Sequence, residues 1–167
     1  QTLADAKAAA YAQLADANTE LMKNYQSVNS NLQQVNNGII QLNAGMLELE
    51  SGITQLEVGL SQLDSGIEQL QMLVGIMDVS IDAAQQALEF ALNAEIVDPD
   101  AVAELQKRLE ELAVTREEYR VQLQELQSQR TELGAQLEEL YATRTQLQLQ
   151  QQELEANKAL LEGAMTT

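Results

Sequence analysis

The sequence contains no cysteine, no histidine and no tryptophan, and it has a single proline and a single phenylalanine among 167 residues. Lacking cysteine, it has no disulfides, thiolate nucleophiles or zinc-thiolate sites, so thiol redox chemistry is excluded. Without histidine, a metal site would rest on carboxylates alone, and no calcium-loop spacing is present. Aromatic residues make up 3%, too little bulk for the core of a compact globule. Positive charge is scarce as well: 9 Lys and Arg stand against 26 Asp and Glu, a net charge of −17 spread along the chain. Nucleic-acid binding needs a basic stripe, and an anionic lipid surface would repel such a chain. Long apolar runs are missing too. Residues 24 to 47 carry no charge, but their Asn, Gln and Ser are costly in hydrocarbon, which excludes a membrane span and direct lipid insertion. No secretory leader is visible, and a start at Gln1 without methionine reads as an excised or processed piece.

Leucine, alanine, glutamine and glutamate fill the chain instead, and they recur by sevens. From Leu14 the d series runs through Leu21, Val28, Val35, Leu42, Leu49, Leu56, Leu63, Leu70 and Met77. The a series runs from Tyr11 through Asn18, Tyr25, Leu32, Ile39, Met46, Ile53, Leu60, Ile67, Val74 and Ile81 to Leu88. An a/d alternation of that length predicts a coiled coil. It stops at Leu92, before NAEIVDPD, where Asn93 suits a left-handed helix cap, Asp98 an N-cap and Pro99 the first helical position. A second series then has d positions from Leu105 to Leu161 and a positions Val102, Leu109, Arg116, Leu123, Arg130, Leu137, Arg144, Gln151 and Lys158. The expected fold is all-α: one elongated domain over residues 1–167, an antiparallel two-helix coiled-coil hairpin. Its helix 1 covers about 2–92, its loop about 93–99 and its helix 2 about 100–164.

Folding back about that loop brings a residues against d residues in a register where paired numbers sum to 193, as with Leu88 and Leu105, or Leu60 and Leu133. The same register sets Arg116, Arg130 and Arg144 opposite Met77, Leu63 and Leu49, each followed by an acid: Asp78, Asp64 and Glu50. An arginine there can lay its methylenes on the seam and set its guanidinium against the carboxylate. Such pairs contribute about 0 to 1 kcal/mol each, but they disfavour a parallel homodimer that stacks arginine on its own copy. Pairing covers residues 32 to 92 against 101 to 161, a rod of about 90 Å. Residues 1–31 keep the heptad without a partner and add roughly 45 Å. Either two copies pair through residues 1–31 or the parent chain continues beyond Thr167.

Glycine breaks the pattern of strong helix formers at Gly38, Gly45, Gly52, Gly59 and Gly66, all at g and each three residues after a d residue. Each costs roughly 1 kcal/mol of helix propensity relative to alanine. The register offers a reason: Gln122, Gln129, Gln136, Thr143 and Gln150 flank the seam on helix 2, and their side chains are expected to lie over the glycine stripe while the backbones approach closely. Docking of another helix on the stripe is the competing reading. Near the hairpin end, MLVGIMDV is apolar beyond the seam, with Met72, Ile76 and Val79 pointing outward. Phe90, Ile96, Val97, Val114 and Val121 add to an expected partner surface; a kink at Gly75, a bundled short helix over 80–92 and self-capping of the hairpin end are the alternatives. The neighbouring carboxylates Glu110 with Glu111, Glu117 with Glu118, and Glu138 with Glu139 diverge by about 100° on a helix and read as solvated faces. With no concave site, no catalytic residue, cofactor or metal is expected, and the chain is not expected to be an enzyme.

The run LNAGMLELESGITQLEVGLSQLDSG resembles the leucine-x-x-glycine heptads of extracytoplasmic coiled coils in bacterial membrane proteins. Among these are FtsX-like ABC permeases with inserted helical stalks, the phage infection protein family and some exporters of the RND superfamily. Leu42 with Gly45, Leu49 with Gly52, Leu56 with Gly59 and Leu63 with Gly66 carry the resemblance, and Val35 with Gly38 is a looser match. The resemblance implies a stalk on the extracytoplasmic side of the bacterial cell membrane, within an FtsX-like ABC transporter permease. Its partners would be another protein or the remainder of the transporter. A cell-surface or phage-receptor-like binding rod and a cytoplasmic arm of a chromosome-maintenance ATPase are the alternatives.

Overall fold

The structure, a computed structural model, describes residues 2–166. It is all-α: α1 (Leu3–Leu92) and α2 (Pro99–Thr166) lie in contact along their length as an antiparallel hairpin. α1 is helical through Gly75 and through residues 80–92, so there is no separate short helix at its end. Among the described residues no helix is long and apolar enough to cross a membrane.

Local chemistry sets the helix ends. Thr2 and Asp5 form a reciprocal cap at the start of α1: the Asp5 amide donates to Thr2 Oγ1 at 3.3 Å, and the Thr2 amide donates back to Asp5 Oδ2 at 3.2 Å. The Thr2 hydroxyl also donates to that carboxylate at 2.7 Å. Two amides that a helix start leaves without partners are thereby satisfied. The hydrogen bonds from the Thr2 hydroxyl and then its amide hold Asp5 below the ordinary carboxylate range. The stabilisation is therefore complete above the unfolded-state value and is lost as pH falls through the lowered folded-state value. We expect the first turn of α1 to stay helical down to about pH 4 and to fray below it, read from the amide shifts of residues 3–6.

At the loop, Asn93 continues the last helical turn, its amide donating to the Glu89 carbonyl at 3.1 Å. It does not take the left-handed cap the sequence allowed: no described non-glycine residue has a positive φ. Because its hydrogen bond is still made backward along α1, no left-handed residue is needed to close the helix. Asp98 caps α2, accepting at Oδ1 from the amides of Asp100 (3.0 Å) and Ala101 (3.4 Å), and Pro99 is the first helical residue. Asp98→Ala should lower hairpin stability by about 1 kcal/mol, measurable as a shift in the urea midpoint.

Two compact units divide the chain, one comprising Gln1–Ser51 with Leu140–Thr167 and the other Gly52–Glu139. In both, the a and d residues form the seam. In the second unit the buried residues are Ile53, Ile67, Ile81 and Ala84; in the first, Ile39 is buried. α2 contributes no residue to this fully buried set, and its a and d side chains are half-covered, apart from the exposed Arg130. The buried isoleucines recur every fourteen residues, alternating with half-buried Met46, Leu60 and Val74 at a. This doubled period matches the alternation of arginine and leucine at a on α2. Side chains on a helix lean toward its N-terminus, so in the second unit Arg116 and Arg130 lean toward the Ile81 and Ile67 layers, adding cover that the intervening layers lack.

Candidate functional site

The arginines make polar contacts across the seam. In the second unit Arg116 Nη1 donates to Asp78 Oδ1 at 3.1 Å, and Arg130 grips both oxygens of Asp64, Nε to Oδ1 and Nη2 to Oδ2. In the first unit Arg144 Nη1 lies 3.5 Å from Glu50 Oε1, and its guanidinium sits 4.9 Å from the centre of the Tyr141 ring. The hydrogen bond from Arg130 to Asp64, and then the carboxylate charge, pushes the Arg130 guanidinium up from its already high value. Arg116 is the deepest of the three, and its buried Nε has no hydrogen-bond partner. One further contact of the same kind escaped the sequence reading: Gln151 Nε2 donates to Asn43 Oδ1 at 2.9 Å. Gln151 is the a residue one heptad beyond Arg144, and Asn43 lies one heptad before Glu50, so extending the arginine arithmetic finds the pair.

The glycines at 38, 45, 52, 59 and 66 are half-buried on the seam flank. Leucines, rather than the glutamines expected there, lie over them. A Cβ added to Gly38, Gly59 or Gly66 would meet Cδ1 of Leu154, Leu133 or Leu126 at 3.5, 3.9 and 3.3 Å, and at Gly45 it would meet nothing within 4 Å. The reason is directional, since the d leucines of α2 reach across the seam onto the opposite g position while the glutamines lie outside it. At Gly38, Gly45 and Gly59 an alanine would sit at ordinary contact distance or in open space, so glycine does not enforce a closer backbone approach there. Gly45→Ala should therefore stabilise the hairpin by about 1 kcal/mol in denaturant titration. Gly66→Ala should gain less, because Leu126 must give way by a few tenths of an ångström.

The apolar residues near the loop face outward. Met72, Ile76, Val79, Val114 and Val121 are exposed, as are Phe90 (81%), Ile96 (89%) and Val97. Met72, Gly75, Ile76, Val79 and Ser80 line one open depression on α1, whereas Val114 lines another on α2 with Lys107, Glu110, Glu111 and Thr115. These are shallow, solvent-open surfaces suited to another apolar side chain. The carboxylate neighbours at 110–111, 117–118 and 138–139 are exposed on α2. Among the described residues no three His, Cys, Asp or Glu side chains are grouped to hold a metal ion. The arrangement supplies packing faces, charge pairs and reach. Compared with protein-family models, with curated proteins and with solved structures, the chain matches none.

Proposed function

We propose that this chain is a non-enzymatic coiled-coil stalk on the extracytoplasmic side of a bacterial membrane transporter of the FtsX-like ABC permease kind, projecting from the membrane and contacting a partner. The observation that carries the reading is the leucine-x-x-glycine series on the seam of a long antiparallel hairpin. A hairpin returns the chain to where it departed, as an insertion between two membrane segments requires. The outward apolar residues near the loop, Phe90 and Ile96 foremost, support a contact at the far end.

Topology in intact cells tests it. The chain has no cysteine, so Phe90→Cys in the full parent protein gives a single reporter at an exposed site. Labelling by a membrane-impermeant maleimide added to whole cells is the expected result, with the signal lost in cells pre-blocked from outside. Labelling only after lysis of the inner membrane would place the hairpin in the cytoplasm and sink the proposal in favour of an intracellular arm.

A further inference from the structure

We infer that residues 3–22 of two copies of this chain pair with one another in antiparallel fashion, each taking over the α1 seam where α2 stops. This does not rest on the stalk proposal: it concerns only the first part of α1 and would stand for a hairpin in any compartment.

α2 ends at Thr166, and its last a residue, Met165, lies against the start of the covered seam. Going back along α1, Val28 is the last half-covered a/d residue; Tyr25, Leu21, Leu14 and Tyr11 are exposed, the last three by more than 60% each. These positions are neither a new face nor a loop. They continue, in the same heptad phase, the interface that α2 occupies from Val28 onward. An apolar seam left open along several turns of a helix that cannot bury it alone calls for a second helix.

The flanks identify the partner. Where α2 binds, the e positions of α1 are polar, Asn43, Glu50, Asp64 and Asp78, and these are the residues that meet Gln151 and the arginines. In the open part the flanking e and g positions are Ala8, Ala10, Ala15 and Ala17. They offer no acid to an arginine-bearing helix like α2, but they do match a helix that is itself flanked by alanine. Charge points the same way. Lys7 and Lys23 nearly balance Asp5, Asp16 and Glu20, so residues 1–31 contribute −1 of the chain's −17. The remaining −16 repels a second copy everywhere else, and most strongly in a parallel dimer that sets the two acidic hairpins side by side.

Antiparallel pairing also lets the second copy run in the direction of α2. Its helix start then follows the α2 C-terminus head to tail, a favourable order of helix dipoles. The register that leaves room for both ends sets Tyr11 on Leu14 of the other copy, Leu21 on Ala4 and Lys7 on Asn18. The last pair is a polar layer, the kind that fixes register and orientation in a coiled coil. In this register Leu3 of the second copy, 88% exposed in the single chain, arrives over an apolar hollow of about 350 Å³ lined by Leu21, Tyr25, Val28, Ala164 and Met165.

Analytical ultracentrifugation of the 167-residue chain over a concentration series, joined to disulfide trapping, tests the inference. The expected result is a reversible monomer–dimer equilibrium that Leu14→Glu weakens more than about tenfold. Leu14 is exposed in the single chain, so that variant keeps its helical circular dichroism and thermal midpoint. Tyr11→Cys mixed with Leu14→Cys should give a disulfide-linked dimer under mild oxidation, whereas neither variant alone should. A chain that stays monomeric throughout overturns the inference, and so does a dimer indifferent to Leu14→Glu. Each single-cysteine variant crosslinking to itself would show parallel pairing and overturn it as well.

Discussion

Ile53→Ala should cost about 2 to 5 kcal/mol of hairpin stability, while Ile40→Ala should cost less than about 0.5 kcal/mol. Both substitutions remove the same atoms from the same long helix, and both change intrinsic helix propensity alike. They differ in where the side chain lies: Ile53 is 3% exposed on the seam and Ile40 is 65% exposed on the outer face. A two-helix seam has no third layer to collapse into a void, so the cavity left at residue 53 is flooded or persists, and the loss falls in the upper part of the range. Ile53→Asp should be worse again, because it places a carboxylate in a layer without a cation. Urea titration followed by circular dichroism gives both midpoints. Equal losses for the two alanine variants would mean that the seam is not where the stability resides.

Replacing Arg116, Arg130 and Arg144 together by methionine should raise the thermal midpoint and at the same time broaden the population into several oligomers. The two effects have different physical sources. Partly exposed ion pairs like these contribute about 0 to 1 kcal/mol each, and Arg116 also buries an Nε without a hydrogen-bond partner, a cost of about 1 to 3 kcal/mol. Methionine of similar length removes that cost and keeps the methylene contact over the Ile67 and Ile81 layers. The arginines, however, penalise any arrangement that sets two copies of α2 in parallel register, where each guanidinium would face its own twin. With methionine that penalty disappears, and sedimentation should resolve species absent from the wild-type chain. Asp64→Arg with Asp78→Arg is the complementary change: it opposes cation to cation across the seam and should lower the midpoint. A methionine triple variant that is less stable yet homogeneous would show that the pairs act mainly as stabilising bonds.

Most of the fold is readable from spacing alone. The a and d series define both helices, the only proline marks the turn, and one register arithmetic leads from the loop to Arg116 and Asp78, Arg130 and Asp64, and Arg144 and Glu50. What spacing does not convey is side-chain direction. The leucines over Gly38, Gly59 and Gly66 come from d positions that reach across the seam, whereas counting matched g against g and so named the glutamines. The depth of Ile39, Ile53, Ile67 and Ile81 relative to Met46, Leu60 and Val74 depends on β-branching close to the backbone and on arginine cover, which a list of apolar positions treats as equal. The Thr2–Asp5 cap was visible as a threonine followed three residues later by an acid. It is the aspartate form of a signature usually met with glutamate, and it sits ahead of an alanine-rich stretch in place of an apolar run. The outward residues Met72, Phe90 and Ile96 were legible as exposed because they fall outside a and d. Their partner is not encoded in this chain's periodicity.

The register of the hairpin is the claim on which the seam, the arginine pairs and the glycine contacts all depend, and a single pair of cysteines tests it. Leu60 and Leu133 occupy facing a and d positions in the second unit, and the chain has no cysteine of its own to interfere. In the Leu60→Cys, Leu133→Cys variant, oxidation at high dilution should yield an intramolecular disulfide, seen as a faster-migrating monomer on a non-reducing gel. The variant with Leu133 retained and Leu140→Cys in its place should not form one, being two turns out of register. Only intermolecular products from the first variant, or equal intramolecular yields from both, would contradict the hairpin as described.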